Sequence, residues 1–120
     1  MAVQAKAINI TGLLSRIEND IDRLQMLFDI ALEEFPKWIT NIENKLSAKD
    51  AVALVKLSHT YKGSSATLGA DNLAAIYLKL ETAAKENNLS LFQETFPNIL
   101  EETNSVIEEI ELYRKGELLY

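Results

Sequence analysis

The 120-residue chain has no cysteine and a single histidine. Disulfides and thiolate metal sites are excluded, and a structural zinc site nearly so. Four glycines and two prolines leave little material for a fold of many tight turns. No apolar run approaches the roughly 18 residues that a membrane span requires. Met1-Ala2-Val3-Gln4 lacks the basic start and apolar core of a signal peptide. A cytoplasmic chain is therefore expected. Basic residues are outnumbered, 12 Lys and Arg against 18 Asp and Glu, for a net charge of −6. That argues against nucleic acid as a partner, since its binding needs a basic face. Walker-type and kinase glycine-rich loops are absent, so ATP binding is not supported. A four-helix di-metal site needs Glu-x-x-His on two helices, which one histidine cannot supply. No metal or cofactor is expected on this chain. A Ser-His-Asp arrangement would need a buried acid beside the histidine, and no sequence signature marks one.

The residues present favour helices. The length predicts one domain over residues 1–120. Residues 1–9 show weak pattern, as a frayed helix or an extended arm. A short amphipathic stretch follows, with Leu13, Leu14 and Ile17, and Asn19-Asp20 is placed to cap the next helix. Leu24, Phe28, Ala31, Phe35, Ile39, Ile42 and Leu46 hold one helix face from residue 21 to about 47. The phase continues through Pro36, which predicts one kinked helix rather than two. Ser47 with Asp50 forms a capping pattern for a helix from 48 to about 66, ended by Gly69. Asp71 is placed to cap the helix carrying Leu73, Ile76, Tyr77, Leu80 and Ala84. Ser90 with Gln93 is expected to cap the last helix, which carries Phe92, Phe96, Ile99, Thr103, Val106, Ile110 and Tyr113. Gly116-Glu117 reads as loop and tail, and Leu118-Leu119-Tyr120 as an abrupt apolar end that favours a cut from a longer chain. Short loops make neighbouring helices antiparallel. The predicted fold is all-α, an up-down-up-down four-helix bundle with a short extra N-terminal helix.

At about 100° per residue, Leu54, Leu57, Ser58, Tyr61, Ser65 and Leu68 fall within an arc of about 100°. This stripe should face the core, with the two serine hydroxyls bonding back to the preceding turn. His59 lies about 150° from the middle of the arc and points outward. Val52, Val55, Lys56, Lys62, Gly63 and Ala66 share its side. A glycine in an exposed helix costs roughly 1 kcal/mol relative to alanine. Gly63, one turn after His59, leaves open space beside the ring. Lys62 reaches the same space from three residues on. A neutral imidazole is a nucleophile near neutral pH, and a lysine can offset phosphoryl charge. Val52, Val55, Lys56 and Ala66 would form a rim for a docking partner. Met26 and Ile30 lie nearly opposite the core stripe of their helix. The favoured account is that the short N-terminal helix covers them; the other is an apolar docking patch.

His59-Thr60-Tyr61-Lys62-Gly63-Ser64-Ser65, with Leu68-Gly69-Ala70 and Leu73 after it, resembles the signature of histidine-containing phosphotransfer domains. Leu54 and Ser58 before it and Leu80-Glu81 after it extend the match, so the resemblance covers about residues 8–115. It implies a four-helix bundle that takes a phosphoryl group from a receiver-domain aspartyl phosphate and passes it to another receiver aspartate. His59 would be the phosphoacceptor, Lys62 would offset phosphoryl charge, and Gly63 would admit the receiver. Such domains are not stand-alone kinases; the receiver brings the acidic pocket and its magnesium ion. The implied partners are response-regulator receivers and a hybrid histidine kinase, with this chain a monomer. Ser58 and Tyr61 depart from the family's usual alanine and leucine or isoleucine, on the core side. Two other functions remain: the phosphoacceptor domain of a chemotaxis-type histidine kinase, and a helical adaptor that is never phosphorylated.

Overall fold

The computed structural model describes residues 2–120. Its elements run β1 (Val3–Gln4), α1 (Ile10–Arg16), α2 (Ile21–Ser47), α3 (Ala51–Thr67), α4 (Asp71–Lys85), α5 (Leu89–Arg114) and β2 (Leu118–Leu119). The protein is all-helical apart from the two short strands. The long helices are joined by three-residue connections, 48–50, 68–70 and 86–88. No helix among the described residues is long and apolar enough to cross a membrane.

Helix α2 is one helix with Pro36 inside it, as the unbroken apolar phase predicts. Its buried face is Leu24, Phe28, Ala31, Phe35, Trp38 and Ile42. Trp38, not Ile39, continues the face after the proline. The indole gains more by burial than the smaller side chain beside it, and it meets Phe35, Tyr61 and Tyr77. Leu54 from α3, Leu73, Tyr77 and Leu80 from α4, and Phe92, Ile99, Val106 and Ile110 from α5 complete a core closed to solvent. Helix α4 packs broadly on α3 and on α5, and α2 packs on α3 and α5.

Three cap assignments shift. Ser47 is the last residue of α2, and Asp50 caps α3 by accepting from Ala53 N at 3.1 Å. Lys49 takes φ +54° between them, which lets the chain turn within three residues. Ala70, not Asp71, is the N-cap of α4, and no side chain bonds there. Asn88, not Ser90, caps α5, accepting from Leu91 N at 3.1 Å. In each case the helix begins where the connection ends, not where the best capping pattern lies. At Gly69, φ +79° ends α3 as expected.

The two ends pair with each other, which no pattern in the sequence indicates. The arm at 2–9 is extended, and β1 pairs in parallel with β2, Val3 opposite Leu118. Leu118 is buried while Leu119 and Tyr120 stay exposed, so the apolar end is anchored at one residue. The buried Glu109 carboxylate of α5 accepts from three successive amides, Lys6, Ala7 and Ile8, at 2.9, 2.7 and 3.0 Å. Arg16 at the end of α1 donates to the carbonyls of Ala66 and Thr67, both at 3.2 Å. Asn9 N donates to Gly69 O at 2.9 Å. The N-terminal segment thus runs from the C-terminal part of α5 to the C-terminal end of α3.

The cap positions can be checked by substitution. Asp50→Ala is expected to lower unfolding free energy by about 1 kcal/mol in urea titrations, and Ser47→Ala to stay within about 0.5 kcal/mol of wild type. The reverse order would put the cap back at the serine.

Candidate functional site

Helix α3 is two-sided, as its phase predicts. Leu54, Ser58, Tyr61 and Ser65 are buried, with Leu57 half-buried. Tyr61 stacks on Trp38 at 4.6 Å between ring centroids and 11° between planes. Its hydroxyl accepts from Asn41 Nδ2 at 3.0 Å. The bulky departure from the usual leucine is therefore matched across the helix pair. The serine hydroxyls behave differently from expectation. Neither Ser58 Oγ nor Ser65 Oγ has a hydrogen-bond partner among the described residues, so back-bonding does not occur. Both are fully buried, and their small volume is what the packing uses.

On the opposite side His59 exposes 68% of its side chain. Its Nδ1 lies 3.0 Å from Glu81 Oε2, from α4. Glu81 is only 3% exposed. A buried acid therefore does stand beside the histidine, unmarked by any signature in the sequence, although it is a glutamate and no serine nucleophile accompanies it. Lys62 Nζ sits 2.7 Å from Glu81 Oε1, and Lys85 Nζ 3.2 Å from Oε2. Lys62 thus reaches Glu81 as well as sitting one turn from His59.

The Glu81 carboxyl is held down at about 2, below its ordinary 4.5. The hydrogen bond from Lys62 is the main cause; burial pushes upward, and the bonds from Lys85 and His59 pull down. Glu81 is therefore ionised at neutral pH and can only accept. The hydrogen on the shared bond must be on His59 Nδ1. When the ring is neutral, its lone pair is on Nε2, the nitrogen away from Glu81. The arrangement is an exposed nucleophilic nitrogen on a ring that a buried carboxylate orients.

Gly63 is exposed, and nothing lies within 4 Å of where a Cβ would stand. No crowding inside the chain requires a glycine there. Beside it an open groove of about 780 Å³ separates α2 from α3, lined by Leu27, Ile30, Ala31, Trp38, Gly63 and Thr67 among others, with His59 at its edge. Ile30 and Met26 are exposed at 51% and 56%, so α1 does not cover them and the favoured account of that patch fails. Of the expected docking residues, Val52, Val55 and Lys56 line a second groove against Ala84 and Lys85, and Ala66 lines neither. No cluster of side chains among the described residues is arranged to hold a metal ion.

Sequence reasoning did not single out Glu81 or Lys85. Glu81 lies on the flank of the α4 stripe, about 80° from Leu73, where a charged residue is ordinarily solvated. Only its place after Leu80 in the family resemblance marked it.

A model of the Hpt domain family matches residues 26–112. The chain is 31% identical over 68 residues to the phosphorelay protein LuxU of Vibrio harveyi, an alignment covering 57% of this chain and 60% of that protein. It thus spans about 60% of the length of that relative. The crystal structure of histidine-containing phosphotransfer protein B (HptB) from Pseudomonas aeruginosa PAO1 superposes with a TM-score of 0.86 at 25% identity, covering 93% of this chain and 97% of that one.

The Glu81 geometry predicts a pH dependence. Because its folded-state value lies below 4.5, folding favours the ionised carboxylate. That contribution is complete above about pH 4.5 and is lost as pH falls through about 2. At neutral pH, Glu81→Gln should unfold more easily than wild type by on the order of 1–3 kcal/mol. The gap between the two should close in melts taken from about pH 4.5 down to 2. A gap that stays constant over that range would show that the carboxylate is not held by its cations.

Proposed function

The chain belongs to the Hpt domain family, and from that premise we propose that it is a phosphotransfer intermediate of two-component signalling with His59 as phosphoacceptor. The observation that carries this reading is the orientation of His59. Glu81 holds Nδ1 from a buried position, which leaves Nε2 on the ring edge away from it, and the exposed His59 lines an apolar groove together with Gly63.

The step balances as follows. The Nε2 lone pair attacks the phosphorus of a receiver's aspartyl phosphate. The N–P bond forms and the acyl P–O bond breaks, and the leaving carboxylate takes the bonding pair. The ring keeps its Nδ1 hydrogen and becomes cationic, and Glu81 accepts that hydrogen bond from a fixed, desolvated position, with no reorganisation needed. Transfer to a second receiver aspartate is the reverse of this step. Lys62 offsets charge on the phosphoryl oxygens, and Gly63 leaves room for the receiver's approach.

We take α2 to α5 as an antiparallel up-down-up-down bundle within one domain over 1–120, acting as a monomer. The three-residue connections support this, since links so short favour antiparallel neighbours. The groove containing Ile30 and the patch of Val52, Val55 and Lys56 flank His59 on two sides, which suits a receiver that straddles α3.

Incubation with a phosphorylated receiver should place an acid-labile, base-stable label on wild type and none on His59→Gln. Label on the variant would sink the assignment. Ile30→Asp should slow transfer about tenfold with its melting temperature unchanged, because Ile30 is half exposed. Lost stability instead would make Ile30 a packing residue and remove it from the docking surface.

A further inference from the structure

Glu81 has one negative charge and three nitrogen partners. Lys62 alone serves Oε1, while Lys85 shares Oε2 with His59. Lys85 is not needed to satisfy the carboxylate at rest. With the ring neutral, two ammonium groups face one carboxylate, a surplus of one positive charge. Lys85 reaches Glu81 from one turn further along α4 and stays 61% exposed, so it approaches from the solvent side.

A phosphoryl group on His59 Nε2 changes this balance. It brings two negative charges within reach of Lys62, which then has two competing acceptors. If Lys62 leaves, a carboxylate with 3% exposure loses the cation that holds it down, and an unpaired buried charge is strongly unfavourable. If Lys62 stays, the phosphoryl oxygens lose its help. A second cation on the carboxylate removes the conflict. With the phosphoryl group in place, three negative charges, one on Glu81 and two on the phosphoryl group, meet three positive ones on the ring, Lys62 and Lys85. Without Lys85 the same cluster is one positive charge short.

We propose that Lys85 is a positioning residue, a second counter-ion for Glu81 that frees Lys62 to follow the phosphoryl group while Glu81 keeps its hold on His59 Nδ1. It acts through Glu81, not on the phosphoryl group itself. This rests on the reading of His59 as phosphoacceptor.

The test uses the full chain with phosphoramidate as donor and phosphorus NMR to follow label on the ring. In that reaction the Nε2 lone pair forms the N–P bond, the P–N bond of the donor breaks, and ammonia leaves with the bonding pair. Lys85→Gln should gain label about fivefold more slowly than wild type, with an unchanged melting temperature, and Lys85→Arg should restore the rate. Lys62→Gln should be slower still, and adding Lys85→Gln to a Glu81→Gln variant should cost nothing more, because no carboxylate remains for Lys85 to balance. A Lys85→Gln rate equal to wild type overturns the proposal. So does an equal slowing in the Glu81→Gln background, which would mean that Lys85 acts independently of Glu81. Failure of Lys85→Arg to rescue also overturns it, because the charge would then not be what matters. If wild type gains no label at all, the phosphoacceptor reading itself fails and the proposal falls with it.

Discussion

The site depends on a carboxylate with almost no exposure to water. Glu81 is ionised and buried between α3 and α4, and a charge in that position must be paired where it stands. Its partners come from both helices, His59 and Lys62 from α3 and Lys85 from α4. The ion cluster therefore fixes the rotation of α3 against its neighbour from outside the core, as Leu54, Tyr61 and Ser65 do from inside. It also fixes the ring. An exposed histidine ordinarily samples several rotamers and either tautomer. Here one acceptor on one side selects the Nδ1–H form and leaves Nε2 on the ring edge away from it.

How much of this was legible in the sequence follows from how far each signal reaches. Helical phase is local, and it sufficed for α2 through Pro36, for the two faces of α3 and for the outward direction of His59. Capping patterns are also local but redundant: Ser47 and Asp50 both fit, and the length of the connection chose Asp50. Two-residue strands have no period to detect, so the pairing of Val3 with Leu118 across the whole chain left no pattern. Glu109 has the same character. It sits between Glu108 and Ile110 as one acid among many, yet its carboxylate gathers three backbone amides from the far end of the chain.

Glu81 shows the same limit at the site. Its burial is decided by Lys62, nineteen residues earlier, and by His59, twenty-two residues earlier. Neither separation is a helical spacing within one element. Docking surfaces suffer likewise. Phase could say that Val52 and Ile30 are exposed, but only the packing of α2 on α3 makes a groove of one and sets the other against α4.

The parallel sense of the terminal strands has a mechanical consequence. Val3 N donates to Glu117 O and Ala5 N to Leu119 O, both at 2.8 Å, so the strands run side by side in the same direction. Tension applied through the two ends would pull β1 backward and β2 forward along their common axis. The hydrogen bonds are then loaded together in shear, rather than peeled one after another. The small clasp resists stretching before any helix bears load, and the helix that carries His59 is shielded from forces that arrive through the chain's ends.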